Sequence, residues 1–132
     1  MKYLLDVNAL VAFGHTQHQF HIRVAKWAAG LATNDIPKFA TSSITELGFV
    51  RVMSQAYNVG VAQSQALLKG LKASKRYDFA FLPDDHDATK LPSWVARAKD
   101  TTDGHLSELA KANTYILATL DEKIPNSFLI PQ

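Results

Sequence analysis

The sequence predicts an α/β domain in which helices cover both faces of a mainly parallel sheet. Three observations carry that reading. Short apolar runs at 2–5, 39–41, 79–82 and 115–120 have the length of buried strands. Between them lie longer segments whose apolar residues recur every three or four positions, the spacing of a helix with one buried face. The two kinds of segment alternate along the chain, which sets parallel strands side by side with helices over them.

Residues 2–5 form the first strand, and Asp6 and Asn8 mark where it gives way to a short apolar helix over 9–13. Phe20, Val24, Trp27, Ala28 and Leu31 set an amphipathic helix over about 19–32, closed by a polar turn at 34–38. A second strand at 39–41 leads into a helix from Ser43, carried by Ile44, Leu47, Val50 and Met53 and stopped by Asn58 and Gly60. A third helix spans about 61–73. Pro83, Asp84 and Asp85 then close the strand at 79–82, and residues 86–99 show no clear period. Thr101 or Thr102 caps a helix through Leu106, Leu109 and Ala110 that stops at Asn113. The clearest strand follows at 115–120, and 127–130 adds a last one beside it. No repeat, linker or low-complexity stretch divides the 132 residues, so one domain, 1–132, is expected.

Composition narrows the function classes. With no cysteine, disulfides, thiolate metal sites and a cysteine nucleophile are excluded, which fits a reducing compartment and a cytoplasmic protein. The apolar start has the look of a secretion signal, but Asp6 and Asn8 interrupt it and no small-residue cleavage site follows. No later run approaches the roughly 18–20 apolar residues that cross a bilayer, so a soluble protein without a membrane partner is expected. Net charge is only +2, yet setting aside Asp6, Glu46, Asp103 and Asp121 leaves 14 basic residues against 8 acidic ones, or +6. A basic body around an acidic hole suits a polyanion held over a bound cation.

Those four acids share a position in the fold. Asp6 ends the first strand, Glu46 lies just past the second, and Asp121 ends the strand at 115–120. Parallel strands deliver their C-terminal ends to one edge, where open α/β sheets bind ligands. Asp103 joins them if its helix begins at that same rim. Carboxylates crowded together raise one another's pKa unless a hard divalent cation holds them, and oxygen-only donors select magnesium or manganese. Water activated on such a cation attacks phosphorus without any protein nucleophile. Each acid also has a local explanation. Asp6 and Asn8 suit an Asx turn or a helix cap, and Ser43 with Glu46 spells a capping box. Asp103 in a first helical turn is favoured by the helix dipole, and Asp121 suits a turn.

Four motifs in order give the acids a family context. The run from Leu4 through Asp6 and Asn8 to Leu10 resembles the opening motif of PIN domains, and Thr45-Glu46-Leu47-Gly48-Phe49-Val50-Arg51-Val52 resembles the T-E-L-x-F-x-R-V segment of VapC-like toxins. Thr102-Asp103-Gly104-His105-Leu106 is similar to their T-D-x-x-L element, and Ala118-Thr119-Leu120-Asp121 to their T-x-D element. The resemblance spans residues 4–121 and implies a PIN-like three-layer α/β/α sandwich and a metal-dependent endoribonuclease, the toxin of a toxin–antitoxin pair. It implies that Asp6, Glu46, Asp103 and Asp121 are the catalytic, metal-binding acids for Mg2+, with Mn2+ as substitute. Asn8 and Thr119 would orient those carboxylates, and Arg51 would contact a phosphate. The implied partners are an RNA substrate, tRNA or rRNA, a VapB-like antitoxin and a second copy of the chain in a homodimer. Asp100 competes with Asp103 for the third acid, and Asp103 is preferred for its preceding Thr102 and following Leu106. Gly104 departs from the alanine of many relatives, at roughly 1 kcal/mol of helix stability.

Other features have two readings each. His15, His18 and His21 recur every three residues, as a zinc tract or as solvated polar residues before a helix. His105 suits a proton donor or a surface residue. Trp27, Trp94, Phe79 and Phe81 suit base stacking or core packing, and Lys69, Lys72, Lys75 and Arg76 form a stripe that tracks phosphates or simply faces solvent. Two other function classes compete. A binding module with an unused site predicts no metal-dependent cleavage. A phospho-acceptor signalling domain wants a second acid beside Asp6 and an acceptor Asp on a middle strand; Val7 and the strand at 79–82 supply neither.

Overall fold

A computed structural model describes residues 1–132. Five parallel strands, β1 (Lys2–Leu5), β2 (Lys38–Ser42), β3 (Asp78–Leu82), β4 (Ile116–Thr119) and β5 (Phe128–Leu129), form one sheet in the order β3-β2-β1-β4-β5. Five helices connect them: α1 (Val7–Gly14), α2 (His21–Leu31), α3 (Ser43–Tyr57), α4 (Val61–Lys72) and α5 (Thr101–Ala112). The alternation read from the sequence is therefore the alternation that forms. Residues 86–99, which carry no period, hold one short 3-10 turn, Ala88–Lys90, and lead into a second, Ala98–Asp100.

The strands are apolar on both faces because both are covered. Tyr3, Leu5, Phe39 and Ala118 point into a core shared with α1, α2, α3 and α4, whereas Leu4, Ala40, Leu82 and Leu117 point into one shared with α5. Phe39 lies at the middle of the larger core, its ring within 5.5 to 6.3 Å of Tyr3, Phe13, Trp27, Tyr77 and Phe79. Trp27 is thus a core residue rather than a stacking platform, and Phe79 packs on Phe39, Phe13 and Tyr77 in the same core, while Phe81 on the edge strand β3 stays 46% exposed.

Three helix starts differ in detail from the sequence reading. Helix α1 begins at Val7, two residues before the apolar segment, because the Asp6 carboxylate accepts the Ala9 amide at 2.8 Å and caps it. Helix α3 is capped by Ser42, not Ser43: the Ser42 hydroxyl accepts the Thr45 amide and the Thr45 hydroxyl accepts the Ser42 amide. Thr45 fills the role that Glu46 was expected to take, which leaves the Glu46 carboxylate free to point elsewhere. Helix α5 follows Asp100 with no side-chain cap from Thr101 or Thr102.

Strand order places the edge that matters. The chain builds outward from β1 through β2 to β3, then returns to the other side of β1 for β4 and β5. Beside β1 the crossover direction reverses, and the C-terminal ends of β1 and β4 at such a reversal are where open α/β sheets bind ligands. Helix α5 packs on the sheet and leads directly into β4, so it runs antiparallel to that strand. Its first turn therefore returns to the C-terminal edge, which is how Asp103 reaches the rim.

Candidate active site

Asp6 is the deepest acid at this edge. It follows β1 directly, its amide donates to Ala118 O across the β1–β4 pair at 3.1 Å, and its side chain is 4% exposed. Burial, then the charges of Asp103 and Asp121, push its carboxyl up to about 6, against hydrogen bonds from Thr119 and the Ala9 amide that pull it down. Asp103 is likewise raised, by burial first and then by Asp121 and Asp100. Three acids from three separate elements thus share one electrostatic field.

Thr119, fully buried at the end of β4, ties two of them together. Its hydroxyl oxygen accepts the Asp121 amide at 3.0 Å, which leaves its proton for the Asp6 carboxylate. Asp121 also closes the turn expected of it, one carboxylate oxygen accepting the Lys123 amide at 2.9 Å, and it remains solvent-exposed. Local and site roles coexist at Asp6 and Asp121. A carboxylate has two oxygens and several lone pairs, so a cap or a turn does not use up the group.

Glu46 sits in the first turn of α3 at the same edge but has a different partner. Its Oε2 accepts the Thr41 hydroxyl and pairs with Lys72 Nζ from α4, each at 2.5 Å. Asp100, the competitor for the third position, pairs with Arg97 at 3.3 Å and acts on Asp103 rather than on Asp6. Asn8 stands exposed in the first turn of α1, and Arg51 stands exposed on α3 in a shallow groove with Leu47, Ser54 and Val61.

No three His, Asp or Glu side chains stand close enough to grip one ion as they are placed. The donor set nevertheless suits a hard divalent cation. Asp6, Asp103 and Asp121 offer oxygen only, none pairs with a base, and two resist ionisation partly because of the others. The histidine tract is used elsewhere: the His18 ring accepts the Phe20 amide, His21 hydrogen-bonds Ala12 O, and His15 packs on Tyr57.

Comparison with known proteins gives the arrangement a family. No family profile matches the chain. Ribonuclease VapC38 of Mycobacterium tuberculosis is 35% identical over 126 residues, covering 89% of this chain and 84% of its own length. Ribonuclease VapC39 of the same organism is 31% identical over 138 residues, covering 96% and 94%. The chain belongs to the VapC ribonuclease family. The VapC fold is borne out by a solved structure, VapBC2 from Rickettsia felis bound to a DNA fragment from their promoter. It superposes over 98% of this chain and 97% of the other with a TM-score of 0.64 at 19% identity.

Two residues of this VapC chain have roles at the rim that the sequence did not disclose. Lys72 was visible only as part of a basic stripe, and nothing in the spacing of residues 46 and 72 signals their pairing. Asp84, read as a turn residue, accepts a hydrogen bond from His105 Nε2 at 2.5 Å and another from the His86 amide at 3.1 Å. Burial raises its carboxyl, but these bonds outweigh it and hold the group below the usual range. His105 is thereby committed to Asp84, fastening α5 to the end of β3. Gly104 is fixed by the same helix start: a Cβ there would lie 2.3 Å from Val95 Cγ2 and 3.3 Å from Pro92 Cδ.

Proposed function

We propose that this chain is an endoribonuclease that cleaves RNA phosphodiester bonds with the help of a divalent cation, as the toxin of a toxin–antitoxin pair. The observation that carries the reading is that Asp6 after β1, Asp121 after β4 and Asp103 in the first turn of α5 come to one edge of the sheet, where the charges of the latter two act on Asp6. Mg2+ is the cation we assign, with Mn2+ as substitute, held by Asp6, Asp103 and Asp121 with Glu46 as the fourth acid. Bound there, it supplies a more acidic water and positive charge facing the phosphate oxygens.

The chain's own residues do the rest. The cap to Ala9 and the hydroxyl of Thr119 fix the Asp6 carboxylate in one orientation, so that little ordering remains to be done at binding. Asp103 and Asp121 present their free oxygens from a helix start and a strand end. Asn8 is assigned to orient a carboxylate and Arg51 to contact an RNA phosphate, with tRNA or rRNA as the substrate class. A VapB-like antitoxin and a homodimeric state are assigned with the toxin role, in the cytoplasm. Retention of all four acids weighs against a module that only binds.

Purified chain free of any partner is incubated with total RNA and Mg2+ or Mn2+, beside chelator and Asp6→Asn controls. Cleavage that stops in both controls is expected. Cleavage that survives either one overturns the mechanism.

A further inference from the structure

Of the four acids at the rim, Glu46 is the one that already holds a cation, and that cation belongs to the chain. Lys72 Nζ lies 2.5 Å from Glu46 Oε2, the oxygen that also accepts the Thr41 hydroxyl. The pair is partly shielded, with the two side chains 29% and 23% exposed. On its other side Lys72 lies over the Phe81 ring, 5.4 Å from the centroid, and it occupies the last turn of α4, where the helix dipole favours positive charge. Two contacts and the helix dipole therefore hold the ammonium in place. Lys69, one turn earlier, lines the same cleft between α3 and α4 but pairs with no acid.

We infer that Lys72 is a built-in counter-ion that competes with the divalent cation for Glu46. The inference rests on the reading that the acids at this edge bind such a cation. An ammonium and a divalent cation both satisfy the same carboxylate, and placing both against it sets like charges a few ångströms apart. Each therefore weakens the other, and the free energy of parting Lys72 from Glu46 is subtracted from cation affinity. RNA offers Lys72 an alternative anion in its phosphates, so substrate relaxes the restraint.

Mn2+ binding to metal-stripped protein, without RNA, is measured by titration calorimetry for wild type, K72M, K72R, K69M, E46Q and the E46Q/K72M pair. K72M is expected to bind Mn2+ about threefold or more tightly, the scale of a partly exposed ion pair, while K72R and K69M stay at the wild-type value. The gain is expected to vanish in the E46Q background. A K72M affinity at the wild-type value, a gain equal in K69M, or a gain that persists beside E46Q overturns the inference, the last two because they report only a general field. Metal-free melting curves verify folding, and K72Q carries the same expectation should K72M not fold. The two readings fail differently. If Asp6→Asn removes Mn2+ binding while K72M leaves it unchanged, the counter-ion role alone falls; if wild type binds no Mn2+, the cation site falls with it.

Discussion

The Thr119 hydroxyl bridges two acids that lie on different sides of it in the chain. It accepts the Asp121 amide and turns its proton to Asp6, so the end of β4 orients a carboxylate at the end of β1. Replacing Thr119 by Val removes that hydrogen bond while keeping the shape. The Asp6 carboxyl is expected to rise further above about 6, and affinity for Mn2+ to fall about 10- to 100-fold, as for other groups that orient a metal-binding carboxylate. Thr119→Ser, which keeps the hydroxyl, should retain most of it. Calorimetric titration of both variants makes the comparison, and an unimpaired Thr119→Val removes the orienting role.

Asp6 also makes stability depend on pH in a set direction. Its folded pKa of about 6 lies above the ordinary 3.8, so between those values the folded chain binds more protons than the unfolded one. Stability contributed by Asp6 is therefore lost as pH rises through this window, and the penalty is complete above about 6. With chelator present, Asp6→Asn, which can still cap α1, should stabilise the fold at pH 7 by up to about 3 kcal/mol, a gain that disappears below pH 4. Excess Mn2+ should close the gap at pH 7 by stabilising wild type alone. Thermal melts across this range decide it; an Asp6→Asn gain that is flat with pH contradicts the assignment.

Asp103 and Asp100 are separated by a similar substitution. Asp103→Asn removes a charge that acts on Asp6, whereas Asp100→Asn removes one that pairs with Arg97 and reaches only Asp103. RNA cleavage is expected to fall at least about 100-fold in Asp103→Asn and by less than about fivefold in Asp100→Asn, near the worth of an exposed pair. Equal losses would exchange or merge their roles.

Gly104→Ala reverses a rule of helix propensity. Alanine is the better helix former by about 1 kcal/mol, but its Cβ at this site would stand 2.3 Å from Val95 Cγ2. Net destabilisation of about 1–3 kcal/mol is expected, as for other overpacked sites, with partial rescue by Val95→Ala. Urea unfolding of the single and double variants tests it. A stabilised Gly104→Ala would mean that the 92–95 segment yields freely.

Thr114 connects α5 to β4 in the left-handed region at φ 61, where a β-branched side chain is strained. Thr114→Gly should therefore raise stability by about 1 kcal/mol in the same assay.

The acids differ in how legible they were. Asp6 and Asp121 are visible because they follow apolar strand runs, and in a parallel sheet a strand's end fixes its edge. Glu46 is visible as a position but not as a partner. Its capping-box alternative fails by one residue, since whether Ser42 or Ser43 caps α3 depends on where β2 releases the chain. Asp103 is the reverse case: the sequence left open whether its helix starts at the rim, and the antiparallel course of α5 against β4 answers it.

What the sequence determined by itself is local and periodic. Apolar runs of strand length, helical spacing between them and polar residues at their ends are set by hydrogen bonding and burial along short stretches, and they yield the five strands, the five helices and the edge that carries the acids. Tertiary structure alone decided what meets across the chain. The Glu46–Lys72 pair, the Asp84–His105 bond and the closeness of Gly104 to Val95 depend on side-chain directions and on how near two packed elements come, distances of an ångström or less that no spacing in one dimension encodes.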